Sequence, residues 1–191
     1  ETHAWMVARA TALTEAGDPD AENAWAQLAA KSDTDSETRY TAIKGQADAL
    51  LGEDRASEAL PLFQKARQIA DEDWQAGWAA IGMAVALAET GEIEGSITLL
   101  DELRYHPDVE VKMEATLRRS QMAADEGDWD GAIRALDPRS AVELGPAWDV
   151  SATQARTRAL VGAGDTAGAY AAWRALAARW PDEEEAILPA W

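Results

Sequence analysis

The chain has no cysteine, two histidines, one phenylalanine and only four lysines among its 17 basic residues. Without cysteine there can be no disulfide, no thiolate metal ligand and no cysteine nucleophile, while the redox compartment stays open. His3 and His106 are the only near-neutral bases, and neither belongs to a recognisable triad: one is terminal, the other lies in the Tyr105-His106-Pro107 stretch. A zinc site would have to be built almost wholly from carboxylates, which structural zinc rarely accepts. The run Asp33-Thr34-Asp35-Ser36-Glu37 opens like a calcium loop but lacks the Gly at the sixth position and the Glu at the twelfth. Helix capping accounts for it more simply. Phosphate loops and dinucleotide fingerprints are missing. These gaps predict a protein that is not an enzyme and that needs no cofactor and no metal. Long apolar runs are missing too. The stretch Ile81–Leu87 falls well short of the ~20 residues that cross a bilayer.

Acid is present in excess: 35 acidic residues against 17 basic ones give a formal charge of −18. Such a surface repels phosphate backbones and anionic headgroups, so neither nucleic acid nor direct membrane binding is expected. The scarcity of lysine, four of 17 basic residues, fits either a high-salt habitat or an Arg- and Ala-rich, GC-rich genome. With 47% apolar residues in 191, one structural unit with a real core is expected. A chain that starts on Glu1 and ends on Trp191 is expected to be a fragment or a mature form.

Internal repetition organises the sequence. A small residue followed four positions later by a bulky apolar one recurs as Ala24/Leu28, Ala59/Phe63, Ser96/Leu100, Ala132/Leu136 and Ala169/Trp173, at separations of 35, 37, 36 and 37 residues. Gly91, Gly127 and Gly164 each precede the small residue by five positions, where a tight turn between helices favours glycine. Gly17 and Gly52 precede theirs by seven, which predicts differently built turns in the first two repeats. Upstream of each turn the spacing is helical: Met6, Ala10, Leu13; Ile43, Ala47, Leu50; Ala80, Ala84, Leu87; and, less apolar, Thr116, Ser120, Ala123 and Thr153, Thr157, Leu160. Helix starts are predicted at Asp20, Ser36, Asp71, Asp108 and Asp149, with Pro107, Pro146 and Pro181 in connections and Pro61 within the first turns of a helix starting near Ala56.

These residues resemble tetratricopeptide repeats, best in the last unit through Leu160, Gly164, Asp165, Ala169, Trp173 and Pro181, and next best through Gly127, Asp128, Ala132 and Leu136. The resemblance implies an all-α fold: a right-handed α-solenoid of about five antiparallel helix pairs, with about ten helices and a C-terminal tail. A single array over 1–191 is expected, with units near 3–34, 36–70, 72–106, 108–144 and 146–181, and 182–191 as a tail or the start of a further unit. Arg156, Ala159, Leu160, Gly164, Asp165, Gly168, Ala169 and Trp173 also look like the bacterial envelope repeat proteins of the ancillary Sec-translocon type. That second likeness implies an envelope accessory protein with an anchor removed upstream, and places the soluble domain in the periplasm or envelope ahead of the cytoplasm.

Stacked helix pairs of this family expose a concave face lined by the first helix of each pair, and the expected function is a scaffold that binds a partner segment there. A peptide or small-molecule receptor is the alternative. Family numbering from Gly91 puts Trp78, Ile81 and Val85 on that face as an exposed apolar patch, with Lys44 in the second unit, Leu117 and Gln121 in the fourth and Arg158 in the fifth. Lys44 and Arg158 stand too far apart in the array to clamp a terminal carboxylate, so a protein or peptide with apolar anchors and some positive charge is the expected partner. Trp25, Trp129 and Trp173 read as core. Trp5, Trp180 and Trp191 read as terminal apolar surface left for missing chain or for a second protomer.

Overall fold

The computed structural model describes residues 2–31, 34–136 and 138–181, and among these every regular element is a helix. Eleven helices follow one another. They are α1 (His3–Glu15), α2 (Ala21–Ala29), α3 (Ser36–Gly52), α4 (Ala56–Ile69), α5 (Asp73–Glu89), α6 (Ile93–Leu103), α7 (Val109–Asp125), α8 (Trp129–Ala135), α9 (Pro138–Leu144), α10 (Pro146–Gly162) and α11 (Thr166–Arg179). The chain divides into two compact units, 1–99 and 100–191, with the division falling inside α6.

Local chemistry sets the helix starts. Asp35 caps α3 by accepting from the Thr38 N–H at 2.7 Å, and that bond holds its carboxyl below the usual range. Asp108 caps α7 and accepts from the Glu110 and Val111 amides. Asp128 and Asp165 cap α8 and α11, each accepting from the Gly three residues on at 2.8 Å. Glu72, not Asp71, caps α5 through a reciprocal box with Gln75. Ser36 is the first residue of α3 and not its cap. One predicted connection and one predicted start are corrected more strongly. Pro146 opens α10 instead of lying in a connection, because a proline at the first helical position gives up an N–H that has no partner anyway. Asp149 then falls inside α10, buried, where it accepts from Arg179 and, at 2.8 Å, from the Trp180 indole. Pro61 sits in the second turn of α4 as expected.

The five turns share one construction. In each, an amide bonds back to a carbonyl five residues earlier: Asp18 to Leu13, Arg55 to Leu50, Glu92 to Leu87, Asp128 to Ala123 and Asp165 to Leu160. A residue with positive φ precedes that amide each time: Gly17, Asp54, Gly91, Gly127 and Gly164. This is the left-handed C-terminal cap that satisfies the last carbonyls of a helix. The first two turns were expected to be built differently; their hydrogen bonding is the same, and the differences lie elsewhere. In the second, Asp54 takes the left-handed position and Gly52 stays helical; in the first, α2 starts four residues after the positive-φ glycine instead of two.

In the first unit α1 packs on α2 and α3, α3 on α2, α4 and α5, and α4 on α5. In the second, α7 packs on α8, α9 and α10, and α10 packs on α7, α8, α9 and α11. The cores are built largely from alanine with a few large side chains. Phe63 is fully buried among Ala47, Leu50, Ala56, Ala59 and Ala86. Close helix approach requires bare backbone: a Cβ on Gly82 would stand 2.3 Å from the Phe63 ring. Trp25 and Trp173 are buried as expected, and Trp129 is half-buried against the Ala123, Ala124, Ala132 and Ala159 cluster. Where ten helices were expected, the second helix of the fourth unit is interrupted at Leu136, which turns extended, and α9 opens on Pro138. Proline cannot continue a helix but is tolerated as the first residue of a new one.

Candidate partner-binding site

Tyr40, Lys44 and Asp48 recur every four residues on α3, and Trp74 and Trp78 do so on α5, so each set lies on one helix face. Packing of α3 on α5 brings the two faces together around an open depression of about 350 Å³, which Trp25, Thr41 and Gly45 complete. Trp25 forms the floor. A Cβ on Gly45 would lie 2.5 Å from its ring, so only glycine lets α3 pass over the indole. The indole N–H donates to the Thr14 hydroxyl at 2.9 Å, which fixes the ring from the α1 side.

The wall is equally constrained. The Tyr40 hydroxyl donates to the Gln75 carbonyl at 2.7 Å, and its ring meets Trp74 edge-on at 6.4 Å. Burial pushes the Tyr40 phenol far above its ordinary value, so it stays a neutral donor. The Gln75 side chain accepts from the Asp71 and Glu72 amides, which locks the first turn of α5 beneath the tyrosine. On the rim Lys44 donates to Asp48 at 2.7 Å. Burial pushes the Asp48 carboxyl above its usual range, and the Lys44 ammonium opposes that push. Trp74 is 44% exposed, so part of its indole is open to a ligand.

No family model, curated protein or solved structure matches the chain. The site therefore has to be read from its own chemistry.

Of the residues singled out in the sequence, the structure brings Lys44 and Trp78 into this depression. Ile81 is corrected: it is 5% exposed and belongs to the core, so the three-residue exposed patch does not exist. The reason is that α5 is buried on more than one side, through Gly77, Ala79, Ala80, Ile81, Gly82 and Ala84, and leaves little free face beyond Trp74 and Trp78. Val85 is half-buried. In the second unit Leu117 packs against Met113, Ala141 and Ala152, a core contact and not a groove position. Gln121 and Arg158 do meet, Arg158 donating to the Gln121 carbonyl oxygen while the Gln121 amide donates to Asp125 at 2.5 Å. Trp180 is half-buried and tied to Asp149, which removes it from the expected terminal surface; Trp191 lies outside the described residues. Tyr40 and Trp74 were missed, although their four-residue spacing from Lys44 and Trp78 was legible.

Proposed function

We propose that the protein is a non-catalytic interaction scaffold whose helix pairs stack as tetratricopeptide-like repeats of an α-solenoid, and that a partner segment docks in the aromatic depression between α3 and α5. What supports the repeat reading is the recurrence of one turn at positions 17, 54, 91, 127 and 164. The observation that carries the binding reading is the convergence of Tyr40, Trp74 and Trp78 beside a paired lysine and carboxylate. Aromatic rings lose little entropy on binding, Tyr40 least because its hydroxyl is already bonded, and such residues dominate interface energetics. An open depression suits an extended or helical segment better than an enclosed small molecule.

The same chemistry supports one kind of partner. An apolar side chain fits against Trp78, and a lysine or arginine of the segment can lie over the exposed Trp74 face while the acidic surface draws it in. The test is an array of basic peptides with one or two apolar anchors, probed with the full chain and with Trp74→Ala and Trp78→Ala. Selective retention by the wild-type chain is the expected outcome. Equal retention by all three chains would refute the assignment.

A further inference from the structure

In a chain of charge −18, three arginines converge on one depression of about 270 Å³ in the second unit. Arg104 lies just beyond the end of α6, Arg119 is on α7 and Arg134 is in the last turn of α8. Arg104 and Arg119 hold the same oxygen of Asp101, at 3.3 and 3.6 Å. An ion-pair tie between α6 and α7 accounts for those two. It does not account for Arg134, which is exposed, lines the same space and makes no ion pair among the described residues. Asp128, the other acid of the lining, is committed to capping α8. Gly131 is explained by that cap as well, since a Cβ there would lie 2.0 Å from the Asp128 carboxylate.

We propose that this depression is a binding site for a phosphate monoester. Each guanidinium carries five N–H donors; Asp101 accepts one from Arg104 and pairs with Arg119 at 3.6 Å without a hydrogen bond, so most of the donors remain uncommitted among the described residues. A carboxylate is flat and is satisfied by one guanidinium fork. Three guanidinium groups from three elements suit a tetrahedral dianion with three outward oxygens. The acidic surface does not oppose this. At physiological ionic strength charges beyond about 8 Å are largely screened, so the lining itself, three arginines against Asp101 and Asp128, sets a net positive local potential. A polyanion laid along the surface is still repelled.

The phosphate can come from a phosphorylated side chain of a partner or from a small metabolite, and two probes separate these sources: a phosphoserine heptapeptide and phenyl phosphate. Each is titrated into the full chain at constant ionic strength and followed by nuclear magnetic resonance shifts, with acetate and the Glu-for-phosphoserine peptide as carboxylate controls. Saturable binding of at least one phosphate probe is expected, with the carboxylates at least about tenfold weaker. Arg134→Gln and Arg119→Gln should each weaken the phosphate by about tenfold or more. Arg174→Gln, which removes an exposed arginine of α11, should leave it unchanged. Arg134 is exposed and makes no ion pair among the described residues, so its variant folds whatever the fate of Arg119→Gln. A peptide that binds tighter than phenyl phosphate assigns the site to a phosphoprotein; equal affinity assigns it to a small ester. Carboxylates that bind as well as phosphate, an Arg134→Gln chain that binds as the wild type does, or no saturation by either probe would overturn the proposal.

Discussion

Single residues carry several of the features that decide this fold. Asp54 occupies a left-handed position, φ 59°, where the other four turns have glycine. Asp54→Gly should raise stability by about 0.5–1 kcal/mol, because a Cβ is disfavoured there, as urea denaturation would show by a higher midpoint. Gly82→Ala should do the reverse and cost about 1–3 kcal/mol, since the new methyl would drive into the fully buried Phe63 ring. Thr157 has the one buried side-chain oxygen without a hydrogen bond among the described residues. Its positions in the repeat are held by Ala10, Ala47, Ala84 and Ser120 in the other units. Thr157→Val keeps the volume, deletes the orphan hydroxyl and should stabilise by about 1 kcal/mol in the same assay; a destabilised variant would reveal a hydrogen bond that the geometry does not show.

At the scale of elements, the helix upstream of each turn was legible, from spacing in α1, α3 and α5 and from composition and the turn in α7 and α10. Even the weakly apolar sets held: Thr116, Ser120 and Ala123 are all buried, as are Thr153 and Leu160. A helix face is defined by its period, so small hydroxyl residues serve where the neighbouring backbone comes close. Turns were legible where glycine stood at the left-handed position five residues ahead of the small residue, but not at Gly17, where α2 starts two residues later than its counterparts do. They were misread where Asp54 replaced it, because aspartate tolerates that conformation without advertising it. The buried Asp149 was taken for a cap since an acid near a helix start has that role far more often. Its bonds to Arg179 and Trp180 tie the start of α10 to the end of α11. Asp149→Ala should therefore cost about 1–3 kcal/mol and expose the end of α11 to hydrogen exchange before the rest of the unit. The binding depression was half legible. Lys44 and Trp78 followed from the repeat register, but Ile81 was misplaced because the family pattern does not say how many faces of α5 are covered.

For the molecule as a whole, acidity is the dominant physical property. Among the described residues arginines gather carboxylates around them, as Arg55 does with Glu22, Glu53 and Glu58 at 2.8–3.0 Å, and the three acids hold its guanidinium well above the ordinary range. Most of the negative charge nevertheless has no cation to meet it, since 35 acids face 17 bases. Self-repulsion destabilises the compact state, so the melting temperature should climb as salt rises from low to moderate concentration and then level off. A flat or falling curve would show that the charges are already compensated. The same field should make association with a basic partner fast at low salt and slower as salt is added. The central claim is that the aromatic depression binds while contributing little to folding, and Trp74 tests it most directly because it is both part of the wall and 44% exposed. The measurement pairs the melting temperature of Trp74→Ala with its dissociation constant for the tightest array peptide. Affinity should fall by about 2 kcal/mol or more, roughly thirtyfold, with the melting temperature nearly unchanged. Unchanged affinity, or a loss of binding matched by a large drop in melting temperature, would contradict it.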